Sequence, residues 1–106
     1  MEVTQELLES WQVIKVVGEI DSKTVTTLRN FLDEKLVDNK AVALDLREVP
    51  FMSSAGLRAL LTLQRKTSGM NVDLALIGVA EEIKDTMKVT GFLQYFKLYE
   101  TIESLS

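Results

Sequence analysis

Two rhythms of hydrophobic and polar positions alternate along this chain. Val3–Leu8 and Trp11–Val17 carry the short, β-branched pattern of strands, with Val13, Ile14, Val16 and Val17 supplying the branched side chains. A tight connection at Glu9-Ser10 joins them. The loop Gly18-Glu19-Ile20-Asp21-Ser22 follows, and from Ser22 the rhythm lengthens. Val25, Leu28, Leu32 and Leu36 recur every three or four residues, as one face of a helix that fades near Asp38-Asn39. Ala41–Leu46 is a nearly continuous apolar run, suited to a central strand covered on both faces. Leu57, Leu60 and Leu61 predict the buried stripe of a second helix, with Gly69 as its stop. Val72–Ile77 reads as another strand, and Ala80–Thr90 as a helix with Ile83 and Met87 inward, ending at Gly91. Phe96–Tyr99 predicts a short last strand, and Thr101–Leu105 a terminal helical turn.

The predicted order is ββαβαβαβα in a single domain spanning residues 1–106. Strands alternating with helices imply right-handed crossovers and a mixed, mostly parallel central sheet of about five strands with about four helices. This is an α/β fold whose opening hairpin adds an antiparallel edge. Sites in such sheets lie outside the carboxyl ends of the strands. The Gly18–Ser22 and Pro50–Ser54 loops both follow strands, so they are expected to share that side.

Composition narrows the chemistry. A net charge of −4 argues against nucleic acid as a partner, because neutralising phosphates needs a basic surface. The sequence has no cysteine and no histidine. That removes disulfides, thiolate sites, the commonest general base and the commonest metal ligand. Neither catalytic residues nor a metal or cofactor is expected, and a serine hydrolase would lack its base. The start, Met1-Glu2-Val3-Thr4-Gln5-Glu6, has none of the basic and apolar regions of a signal peptide. No apolar run reaches the ~18 residues of a membrane span. The expectation is a cytoplasmic protein with no membrane partner, monomeric when free.

The segment Pro50-Phe51-Met52-Ser53-Ser54-Ala55-Gly56-Leu57-Arg58 is the most informative stretch. It carries two adjacent serines into the start of a helix, where free N–H groups and the helix dipole favour an anion. Ser54 is either a plain cap or an acceptor for a phosphoryl group. Neither serine has Glu or Gln three residues later, so no reciprocal capping box forms. Arg58 sits in the first turn, where the dipole disfavours a cation but a phosphate on Ser54 would attract one. Gly56 costs helix propensity of ~1 kcal/mol, and either allows close helix packing or leaves room for a bulky group. Asp21 and Ser22 are candidate caps of the preceding helix, or a carboxylate and hydroxyl on the same rim. Glu81 and Glu82 read as helix-start acids, and Trp11, Phe92, Tyr95 and Phe96 as edge and core packing.

Three segments resemble the anti-sigma factor antagonists, the single-domain members of the STAS class: Gly18-Glu19-Ile20-Asp21, Val42-Ala43-Leu44-Asp45-Leu46 and Phe51–Arg58. Their order and spacing cover the chain from about Val13 to Leu98. The resemblance implies that Ser54 is phosphorylated by a partner that is both serine kinase and anti-sigma factor. The unphosphorylated protein would bind that partner, and a serine phosphatase would reset it. It also places Asp21 at the partner-binding rim, with Ser22, Ser53, Ala55, Gly56, Leu57 and Arg58 around it. Many members carry aspartate where this chain has Ser53, and Ser or Thr where it has Ala55. The alternative is a scaffold or small-ligand sensor that is never phosphorylated.

Overall fold

A computed structural model of the chain describes residues 1–105. Its strands are β1 (Glu2–Leu7), β2 (Trp11–Val17), β3 (Ala41–Glu48), β4 (Leu74–Ile77) and β5 (Lys97–Tyr99). They form one sheet in the order β1-β2-β3-β4-β5. β1 is antiparallel to β2, and all other pairs are parallel. The crossovers are helices α1 (Val25–Lys35), α2 (Ser54–Gly69) and α3 (Glu81–Val89).

Chain order and strand order coincide, so right-handed crossovers all deliver their helices to one face. That face carries Ile14, Val16, Val42, Leu44, Leu46, Leu74 and Leu76, packed against Val25, Leu28 and Leu32 of α1, Leu57, Leu60 and Leu63 of α2, and Ile83 and Met87 of α3. Each fully buried Leu or Ile there is worth roughly 1.5–3 kcal/mol. The opposite face holds the smaller set Val13, Ala43, Ala75 and Ile77, covered by Trp11, Tyr99, Ile102 and Leu105. β3 is thus covered on both faces as predicted, by helices on one side and by the chain's own C-terminal segment on the other.

Several boundaries depart from the sequence reading, each for a local reason. Three α-helices are present among the described residues instead of about four; Leu93–Tyr95 and Ile102–Ser104 are single 3-10 turns. α1 begins at Val25, not Ser22, because residues 22–24 form a turn tied to Asp21. β4 begins at Leu74, not Val72, since the Val72 N–H is taken by the Thr67 carbonyl (3.1 Å) at the end of α2. Leu61 is only half-buried, and the stripe of α2 runs through Gly56, Leu57, Ala59, Leu60, Leu63 and Thr67. Gly69 is the last residue of α2, and the left-handed turn falls on Asn71 (φ 59°). Tyr95 is exposed and lies outside the core.

Gln12 is fully buried in β2 yet makes no contact that periodicity would reveal. Its Nε2 donates to the carbonyls of Val37 (2.8 Å) and Lys40 (3.2 Å), and its Oε1 accepts from Val37 N (2.9 Å) and Gln5 Nε2 (3.2 Å). One amide side chain therefore satisfies the α1–β3 connection, as buried polar groups require. Asp45, 2% exposed, is paired bidentately with Arg47 (2.9 and 2.8 Å) on the tail-covered face. Burial pushes its carboxyl up, but the Arg47 hydrogen bonds outweigh this and leave it below the usual carboxylate range.

Candidate functional site

The loops after β2 and β3 meet beyond the carboxyl ends of the strands. Gly18 N donates to Glu48 O (3.0 Å), Ile20 N to Phe51 O (3.0 Å) and Ser53 N to Ile20 O (2.8 Å). Ile20 and Met52 form a parallel bridge, so sheet pairing continues past β2 and β3 into the loops. Gly56 closes the assembly. A Cβ on it would lie 2.5 Å from Met52 Cγ, 2.9 Å from Ile20 Cγ2 and 3.2 Å from Ile20 O. Of the two sequence readings of Gly56, close packing is therefore the one realised. The space is filled by the protein's own loops.

Asp21 governs the start of α1. Its Oδ1 accepts from Lys23 N and Thr24 N (both 2.9 Å), while Thr24 Oγ1 accepts from Asp21 N (2.9 Å). The pair closes the turn that leads into α1 with a reciprocal bond of capping-box type, ahead of Thr24 at the N-cap position of the helix itself. The Thr24 hydroxyl also donates to Glu19 O (2.8 Å). These bonds, the Thr24 N–H first and the Lys23 N–H second, hold the Asp21 carboxyl below its ordinary range. Ser22 is exposed and plays no part in this capping.

The start of α2 is built differently. Ser53, extended at φ −80° and ψ 175°, is the cap residue, and its Oγ accepts from Gly56 N at 3.4 Å. Ser54 is the first residue of the helix and is exposed. The two serines are thus not equivalent: capping falls to Ser53 and leaves the Ser54 hydroxyl facing solvent. Arg58 is exposed one turn later. Ala55 is half-buried against the core, while Gly56 and Leu57 are buried beneath the loop. Of the residues assigned to partner contact, Ser22 and Arg58 lie open on the surface, as does Ser54, the expected phosphorylation site. Asp21, Ser53 and Ala55 are partly open, and Gly56 and Leu57 support them from below.

Sequence reasoning passed over Phe51. The residue is 51% exposed although its carbonyl is fixed to Ile20 N. With Pro50 and Met52 it lines a cleft of about 130 Å³ closed on the other side by Glu82, Ile83 and Thr86 of α3. The signal available was an aromatic residue directly after the only proline of the chain.

The model of the STAS domain family matches residues 2–105. This chain belongs to the STAS domain family. The STAS domain is 29% identical over 91 residues to the anti-sigma-F factor antagonist RsfB of Mycobacterium tuberculosis, covering 85% of this chain and 74% of that protein. Its fold superposes on the crystal structure of an anti-sigma factor antagonist from Mycobacterium paratuberculosis with TM-score 0.84 and 25% identity, covering 96% of this chain and 87% of the other. The Bacillus cell fate determinant SpoIIAA in its phosphorylated form shares the fold at TM-score 0.71 and 19% identity, covering 96% and 94%. Among the described residues of the STAS domain, no helix is long and apolar enough to cross a membrane, and no group of three or more His, Cys, Asp or Glu side chains could hold a metal ion.

Proposed function

We propose that this STAS domain is an anti-sigma factor antagonist, switched by phosphorylation of Ser54. It acts as a binding module and not as an enzyme. Its partners are an anti-sigma factor with serine kinase activity, which it binds when unphosphorylated, and a serine phosphatase that restores it. The observation that carries this reading is the division of labour at the start of α2. Ser53 takes the cap, so Ser54 is an exposed hydroxyl on a rigid rim shared with Asp21. The kinship with RsfB, named as an anti-sigma-F factor antagonist, supports it.

Electrostatics suffices for the switch without a change of fold. A phosphoryl group adds about −1.5 to −2 charges. Opposite one partner carboxylate at roughly 8 Å, with an effective dielectric near 20, each unit of charge costs about 2 kcal/mol. Two units give about 4 kcal/mol, close to a thousandfold in affinity before salt screening. Co-expression with the partner kinase, followed by intact-mass and peptide mapping, should place a single phosphoryl group on Ser54. Ser54→Ala should bind the kinase and accept no phosphate, and Ser54→Asp should bind it roughly a hundredfold or more weakly. Equal affinity of the wild type and Ser54→Asp would eliminate the switch.

A further inference from the structure

We infer that the cleft between Pro50–Met52 and α3 receives an arginine or lysine side chain of the protein partner, anchoring it beside Ser54. The inference rests on the antagonist reading above and adds a contact site to it. Three observations converge. First, the cleft has a mixed polar and apolar lining, with Met52 and Ile83 at 7% and 5% exposure at its base and the half-exposed Phe51 as one wall. Second, the one charged group lining the cleft is the Glu82 carboxylate. Glu82 is exposed and in no ion pair among the described residues, whereas its neighbour Glu81 is engaged by Lys84 (3.5 Å). Third, the cleft is continuous in chain with the serines: Met52 is a lining residue and Ser53 the cap of α2.

This combination selects the occupant. A purely apolar side chain would match Pro50, Met52 and Ile83 but leave Glu82 and the polar part of the lining unused. An acidic one would be repelled by it. A long cationic side chain lays its methylene stem along Pro50, Met52 and Ile83 and offers its charged head to Glu82. A guanidinium can also lie against the Phe51 ring. Bidentate pairing with the carboxylate favours arginine over lysine.

The test needs no kinase at first. The ¹⁵N-labelled protein is titrated with the capped peptide Gly-Arg-Gly, and separately with Gly-norleucine-Gly. The arginine peptide should give saturable amide shifts at Phe51, Glu82 and Thr86. The norleucine peptide should give none, and Glu82→Gln or Phe51→Ala should weaken the arginine response about tenfold. No saturable shift, or equal response from norleucine or from Glu82→Gln, overturns the inference. Phosphorylation kinetics with the partner kinase then separate it from the switch. Glu82→Lys should raise the half-saturating concentration of the STAS domain about tenfold, with the maximal rate of Ser54 phosphorylation unchanged. An unchanged half-saturation with normal phosphorylation of Ser54 defeats the cleft and leaves the switch standing. Arginine-peptide binding without any phosphorylation of Ser54 upholds the cleft and defeats the switch.

Discussion

Two of the three helices that begin on the carboxyl rim, α1 and α2, are both entered through a polar side chain, yet they use it in opposite ways. At α1 the Asp21 Oδ1 takes two backbone N–H groups and Thr24 returns a bond to the Asp21 N–H, so three backbone donors at this start are already satisfied. At α2 the Ser53 hydroxyl accepts one N–H at 3.4 Å, and the next residue, Ser54, faces solvent. A saturated helix start is a structural joint. An undersaturated one, next to an exposed hydroxyl, keeps backbone donors and dipole in reserve for an arriving charge. The loops differ in this respect while being bolted together by the same three hydrogen bonds, so the contrast lies in side chains and not in backbone rigidity.

The sharpest way to break the comparison is at the joint both starts share. Gly56→Val should cost about 3 kcal/mol in denaturant unfolding, because its side chain meets Met52 and Ile20 at distances that force the loops apart. It should also abolish phosphorylation of Ser54 under conditions where the variant remains folded. A loss of stability within ~0.5 kcal/mol would mean that the two starts are independent.

A second test addresses the saturated start through pH. The Asp21 carboxyl titrates below its ordinary value in the folded protein, owing first to the Thr24 N–H and then to the Lys23 N–H. A depressed folded pKa contributes stability that is fully present above the unfolded value of about 3.9, and that contribution is lost as pH falls through the folded value. Asp21→Asn should therefore be less stable than the wild type at neutral pH, and the difference should shrink as unfolding is measured from pH 5 downward. A pH-independent difference would mean that the carboxylate's charge is not what holds α1.

The smallest effect is expected at Ser53. Ser53→Ala should cost about 0.5 kcal/mol, the low end for a cap, because the bond it removes is long. Ser53→Asp should make α2 resemble α1 and gain about 0.5 kcal/mol from a negative charge at the helix start. Thermal unfolding at low ionic strength resolves the pair. If Ser53→Ala cost as much as a full cap, the start of α2 would be as closed as that of α1.

Much of this molecule was legible in the sequence where a single element decides the outcome. Val25, Leu28 and Leu32 announced α1, Ile83 and Met87 announced α3, and all five lie in the core. The shared side of the two loops followed from topology alone. What escaped was set by contacts distant in sequence. Gln12 sits in an apolar strand because it satisfies Val37 and Lys40, 25 and 28 residues away. The assignment of the cap to Ser53 depends on its N–H being held by Ile20, which no local pattern encodes. Ile102 and Leu105 read as a terminal turn, but their role as the cover of Val13, Ala43, Ala75 and Ile77 exists only once the sheet is assembled. The Phe51 cleft needs α3 to form its second wall, so neither half was visible by itself.

The coincidence of chain order with strand order, from β1 to β5, has a consequence for biosynthesis. Every new strand pairs with the one made immediately before it, and no strand must wait for a partner still inside the ribosome. The β1–β2 hairpin offers a template, each helix folds back on a sheet edge already present, and the three-residue β5 is added last. Growth by addition at one edge keeps loop closures short and limits the time an apolar edge stands uncovered. The segment carrying Ile102 and Leu105 follows β5 and is then the last of the described elements to settle, over Ala43 and Ala75.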